Sequence, residues 1–141
     1  GSEEEADAAA VAEADFNRLT ERFEQVLGDR VAEVRESKLL AEHPCRLVSP
    51  EGGPERDLQR VRRLLGREAE VPARILEINR RHPLIQNLAH RIASESSDGL
   101  IDLAIEQLFA NLLLLEGLHP NPAHMAPRIQ TLLEAATRFE K

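Results

Sequence analysis

Ile75-Leu76-Glu77-Ile78-Asn79-Arg80-Arg81-His82-Pro83-Leu84-Ile85 decides how the chain is organised. Pro72 precedes a strand over about Arg74 to Ile78, in which Leu76 and Ile78 point one way and Ile75 and Glu77 the other. Pro83 then suits a first helical position, where its missing N–H costs nothing, and Leu84, Ile85, Leu88, Ala89 and Ile92 form one stripe behind it. The stretch therefore joins two differently built portions. Ahead of it lie short apolar runs separated by Pro and Gly; behind it the chain reads as nearly unbroken helix.

Working backwards, Cys45 to Val48 reads as a short strand bracketed by Pro44 and Pro50. Val31 to Glu36, with two valines among alternating polar residues, reads as a strand with one buried face. The acidic, Ala-rich start frays and becomes a helix to about Leu27, with Phe16, Leu19, Phe23, Val26 and Leu27 on one stripe and Gly28 as its stop. Between the second and third strands, the breaker Glu51-Gly52-Gly53-Pro54 precedes a short amphipathic helix. Leu58, Val61, Leu64 and Leu65 form its apolar side and several arginines the other. That apolar side either packs on the local sheet or receives apolar segments of another protein.

Working forwards, the polar cluster Ser94 to Gly99 breaks the first of three helices and offers Ser97 or Asp98 as the next N-cap. The second helix runs to about Leu115 and carries two apolar stripes. Ile101, Ala104, Ile105, Leu108, Leu112 and Leu115 make one; Leu100, Leu103, Ala110 and Leu114 make the other. Such a helix must be covered on two sides. The last helix is expected to be capped by Asn121 with Pro122 at its first position. Its stripe is Met125, Ile129, Leu132, Leu133, Ala136 and Phe139, and Pro127 should make its first turn irregular.

With 141 residues the chain is about one domain, and four Phe without Trp or Tyr mean a core of aliphatic side chains. The expected fold class is α+β. Residues 1–10 read as an expression scar at Gly1-Ser2 and a frayed acidic start, which suggests a piece of something longer. Residues 11–80 form the α+β portion and 83–141 the helical one. A net charge of −7 argues against general binding to a polyanion, which needs a positive face. A single cysteine, Cys45, excludes an intrachain disulfide, and a cytosolic setting is the default. No apolar run approaches the length that spans a bilayer.

The chemistry-bearing residues do not converge. His43, His82, His90, His119 and His124 lack the paired spacing of a zinc site, and His82-Pro83 and His119-Pro120 read as turns. Cys45 reads as a small buried hydrophobe. Asp102 and Glu106 share a helix face but have no companion base or nucleophile, so they read as a solvated strip. Neither a catalytic, a cofactor-binding nor a metal-binding residue is assigned.

The opening stretch resembles the C-terminal domain of the ninety-kilodalton heat-shock chaperone family, in its bacterial branch of high-temperature protein G chaperones. Val34-Arg35-Glu36-Ser37 with Leu39, and Pro44-Cys45-Arg46-Leu47-Val48, are similar to that family's first strand pair. Asp102-Leu103-Ala104, Leu108-Phe109, Leu112-Leu113, Glu116-Gly117 and Pro122 are similar to its terminal helix pair. The resemblance covers about Phe16 to Arg138 in unbroken order.

The resemblance implies a small three-stranded sheet with flanking helices, followed by a helical portion that pairs with a second copy in an intersubunit four-helix bundle. The implied dimer seam is drawn from Leu100, Ile101, Leu103, Ala104, Ile105, Leu108, Leu112, Leu115, Met125, Ile129, Leu132, Leu133 and Ala136. Which stripe of the helix from Leu100 to Leu115 faces its own domain stays open. The resemblance also implies a client contact on the amphipathic helix, at Leu58, Val61, Leu64 and Leu65, and a cytoplasmic stress-response role in protein folding. ATP and Mg belong to the full-length family; none is expected in this fragment, which should not hydrolyse ATP. The acidic tail that docks tetratricopeptide co-chaperones in eukaryotic members does not appear, so that docking is not implied. The alternative is a monomeric adaptor or client-binding module that grips a foreign helix. A hydrolase built on Cys45 or a histidine has no supporting constellation.

Overall fold

The structure is a computed structural model that describes residues 10–38, 42–49, 74–95, 99–119 and 121–139. Among them the chain forms helix α1 (Glu13–Leu27), a single 3-10 turn Gly28–Arg30, and strands β1 (Val31–Glu36), β2 (Cys45–Val48) and β3 (Arg74–Ile78). Helices α2 (Pro83–Ala93) and α3 (Leu100–Leu115), a 3-10 turn Pro122–Met125 and helix α4 (Ala126–Ala136) follow. The expected α+β architecture holds. The amphipathic helix expected after Pro54, with Leu58, Val61, Leu64 and Leu65, lies outside the described residues.

β3 is the central strand, parallel to β1 and antiparallel to β2. Leu76 and Ile78 enter the core on one face, as their alternation predicts. β1 departs from simple alternation. Val31 and Val34 are both buried although three residues apart, because the register shifts between Val31 and Glu33 and the irregularity turns both valines inward.

The opposite sheet face carries a buried carboxylate. Arg35 and Glu77 are register partners across β1 and β3, and Arg46 and Glu77 across β2 and β3. The Nε of Arg35 donates to Glu77 Oε2 at 2.9 Å and that of Arg46 to Oε1 at 2.7 Å. Burial works against ionisation of Glu77, but the two guanidinium hydrogen bonds and charges outweigh it and hold its pKa below the usual glutamate value.

The junction is fixed by Asn79, whose side chain is buried. Its Nδ2 donates to the His43 carbonyl at 3.2 Å and its Oδ1 accepts from the Arg81 N–H at 3.0 Å. Its own N–H donates to the Pro44 carbonyl at 2.8 Å, extending the β2 to β3 ladder by one residue. His82 is the N-cap of α2: its Nδ1 accepts from the Leu84 N–H at 3.1 Å, and Pro83 opens the helix.

One core joins the two portions. Leu19 and Phe23 of α1, Leu76 and Ile78 of β3, Ile85 of α2, and Ile101 and Ile105 of α3 are almost fully buried within it. Each such side chain contributes about 1.5–3 kcal/mol when removed from water.

Two helix starts differ from expectation. Gly99 is the N-cap of α3, with φ 78° and no side-chain cap. The chain enters the helix through a left-handed residue, where glycine avoids the Cβ penalty that Ser or Asp would meet. Ser97 and Asp98 lie outside the described residues. Asn121 likewise makes no side-chain cap to the helix. Pro122–Met125 winds as the 3-10 turn instead, so α4 proper begins at Ala126 and Pro127 falls within its first turn, where no N–H is needed.

Candidate interaction surface

α3 is covered on two sides, but unequally. Ile101, Ile105, Leu108, Phe109 and Leu113 enter the chain's own core, with Ala104 and Leu112 partly buried at its margin. The first apolar stripe is therefore split. Its upper members are consumed by the domain, whereas Leu115 at its end is 81% exposed. Of the second stripe, Leu100 and Ala110 are buried, Leu103 is intermediate and Leu114 is exposed.

Periodicity alone missed Phe109 and Leu113 as core residues. They sit beside the acidic strip, whose carboxylates are paired with arginines of the α+β portion, and both are buried in the core. Asp102 and Glu106 are not a merely solvated strip: Arg22 Nε donates to Asp102 Oδ1 at 2.7 Å, and Arg30 forks onto both oxygens of Glu106. Arg74 pairs with Glu116 farther along the helix. These arginines belong to α1, the turn after it and β3, so α3 is oriented by charge from the α+β portion while its flank packs there.

The end of α3 is a Schellman closure. Gly117 has φ 69°, its N–H donates to the Leu114 carbonyl at 3.0 Å, and the Leu118 N–H donates to the Leu113 carbonyl at 2.8 Å. Leu118 packs on the core. The chain then returns along α3 as α4.

α4 contains no buried residue. Ile129, Leu132 and Ala135 are half-buried against α3, Leu133 is 57% exposed, and Phe139 beyond the helix end is 87% exposed. Between α2, α3 and α4 runs an apolar groove of about 340 Å³, with Leu84, Leu88, Ala104 and Leu132 among its lining. Two polar side chains of α3, Gln107 and Asn111, also line it. Of the seam residues expected from the sequence, Leu100, Ile101, Ile105, Leu108 and Met125 are covered within a single copy. Leu103, Ala104, Leu112, Leu115, Ile129, Leu132, Leu133 and Ala136 retain accessible surface.

Among the described residues no three His, Cys, Asp or Glu side chains converge on a metal position. Cys45 is buried, and burial pushes its thiol up to about 12. His119 holds a turn by accepting the Asn121 N–H at its Nδ1, 3.1 Å away. Among the described residues no helix is long and apolar enough to cross a membrane.

The described residues form a small α+β unit ending in two helices, with no residue of the last one buried. The family model described as Hsp90 protein matches residues 1–141, and the chain belongs to that family. Among its relatives, a protein named Chaperone protein HtpG from Nitratidesulfovibrio vulgaris is 38% identical over 129 residues, covering 92% of this chain and 20% of that protein. Proteins of the same name from Chlorobaculum tepidum and Desulfitobacterium hafniense are 40% identical over 119 residues and 39% over 129. They are matched over 82% and 91% of this chain, and over 19% and 20% of their own lengths. The chain spans about a fifth of the length of these relatives.

Proposed function

We propose that this chain is the homodimerisation module of a chaperone of the Hsp90 family, in which two copies close over the face made by α3 and α4 into a four-helix bundle. The observation that carries this reading is α4: an amphipathic helix of which no residue is buried in the single copy. Covering its apolar side and the end of α3 contributes about 25 cal/mol per Å² of apolar surface. The seam is assigned to Ala104, Leu112, Leu115, Ile129, Leu132, Leu133 and Ala136, with Ile101, Ile105 and Leu108 bracing α3 from beneath.

The module performs no reaction. It holds two arms together, so that closure of the remaining parts of the protein becomes an intramolecular event at high effective concentration. ATP turnover belongs to those other parts, in the cytoplasm, and client contact through Leu58, Val61, Leu64 and Leu65 rests on the family resemblance alone.

The test is the solution mass of the chain by light scattering at micromolar concentration, read by refractive index because there is no Trp or Tyr to absorb. Twice 15.8 kDa is expected. A monomer would sink the reading and favour the adaptor that grips a foreign helix.

A further inference from the structure

The groove between α2, α3 and α4 is lined mainly by apolar side chains, with Asn87 and Arg91 on its α2 side and Gln107 and Asn111 on its α3 side as the polar ones. Gln107 and Asn111, one turn apart on α3, lie on the same side as Leu100, Ala104 and Leu108. They are not loose solvated side chains. Gln107 Nε2 donates to Asn111 Oδ1 at 2.8 Å, while Gln107 Oε1 accepts from Arg128 Nε of α4 at 3.0 Å. The same Gln107 amide nitrogen lies 3.7 Å from the Met125 sulfur. A chain of contacts from α4 thus holds Gln107, and Gln107 holds Asn111, which is the exposed member.

A leucine at Asn111 would make the groove more adhesive, so the amide lowers affinity for anything that covers it. A polar residue held in an apolar seam returns that loss as alignment: registers that leave it unpaired are penalised by its desolvation. The Asn111 carbonyl has a second lone pair beyond the one Gln107 uses, and its amide nitrogen supplies donors. Such a group both donates and accepts, so it can meet a copy of itself across a two-fold axis, where each copy must complement its own surface. This favours a second copy of this chain over a foreign helix as the occupant.

We infer that Asn111, positioned by Gln107 and Arg128, sets the register in which two copies associate, at some expense in affinity. The inference rests on the homodimer reading above. Its test places a nitroxide spin label at Gln130→Cys, an exposed position on α4, with the buried Cys45 inaccessible to the reagent. The label-to-label distance distribution is then compared with and without Asn111→Leu, with the light-scattering mass measured on the same samples.

A dimer with one narrow distance is expected for the parent. Asn111→Leu should remain a dimer, at equal or higher affinity, with a broadened distribution or several distances. An unchanged narrow distribution in a dimeric Asn111→Leu chain overturns the inference and leaves the dimer intact as a conclusion. So does an Asn111→Leu chain that becomes monomeric, since the amide would then supply affinity. A monomeric parent overturns both readings together.

Discussion

The guanidinium of Arg30 grips both carboxylate oxygens of Glu106, with Nη2 to Oε1 at 2.6 Å and Nη1 to Oε2 at 2.7 Å. The same side chain donates to the Val26 and Leu27 carbonyls at the end of α1 and lies 5.7 Å over the Phe109 ring. It therefore closes one helix end and fixes the rotation of another. The hydrogen bond to Glu106 holds its pKa above the ordinary value, against the opposing effect of burial.

Arg30→Ala should cost about 1–2 kcal/mol, since it removes a helix closure, an ion pair and a cation–π contact together. Glu106→Gln should cost less, under about 1 kcal/mol, because the pair is part-exposed and solvent screens it. Urea unfolding of both variants and of the double variant checks the ordering. Equal costs would mean that the carboxylate alone matters.

Glu77 predicts an acid-sensitive sheet. Its pKa is depressed in the folded chain, so the unfolded chain binds more protons in the acid range. The stabilisation it supplies is complete above the ordinary glutamate value of about 4.3 and is lost as pH falls through the lower folded value. Glu77→Gln should cost about 1–3 kcal/mol at neutral pH by leaving Arg35 and Arg46 without their carboxylate. It should also flatten the acid limb of a plot of unfolding free energy against pH.

Cys45 predicts the opposite limb. Burial keeps the thiol protonated up to about 12, whereas an unfolded thiol ionises near its ordinary value of about 8.5. Its contribution is full below the unfolded value and declines as pH rises toward the folded one. Maleimide at pH 8 should label Cys45 only at the rate at which the chain opens, and urea should accelerate labelling in step with unfolding. Rapid labelling of the folded chain would contradict this burial.

The junction rests on Asn79 more than on the cap that follows. Asn79→Ala deletes two side-chain hydrogen bonds from a buried position and should cost about 1–3 kcal/mol. His82→Ala removes an N-cap bond and should cost about 0.5–2 kcal/mol. Thermal unfolding monitored by far-UV circular dichroism ranks the two.

Seam and core separate along α3 and α4. Ile105→Asp places a charge at a position with no exposure and should abolish folding. Leu115→Asp and Leu133→Asp alter exposed positions, so each should keep the helical signal while shifting the light-scattering mass to monomer. A folded dimer in both would displace the seam from these side chains.

Strand positions were legible because short β segments bounded by Pro and Gly leave little freedom: Val31–Glu36, Cys45–Val48 and Arg74–Ile78 form where the local pattern placed them. The Pro83 helix start was legible for the same reason, since proline fixes its own backbone angle. Less local features were not. The register shift at Val31 depends on where β3 lies, and the true start of α4 depends on how the chain returns from Gly117.

The candidate surface was legible only in outline. Two apolar sides on the helix from Leu100 to Leu115 announced that it needed two coverings, but hydropathy assigns no owner to a face. Ile105 and Leu115 belong to one stripe, yet one is fully buried and the other almost fully exposed.

By itself, the sequence determined the α+β class, the strand segments and the sharp passage from Ile78 to Pro83, all set by side-chain alternation and backbone restriction within a few residues. Only the tertiary structure decided that Arg22 and Arg30 claim Asp102 and Glu106, that Phe109 and Leu113 enter the core beside them, and that no residue of α4 is buried in the single copy. Those partners lie 76 to 80 residues apart in the chain, and a charge pair at that separation is selected by folded geometry, not by local spacing.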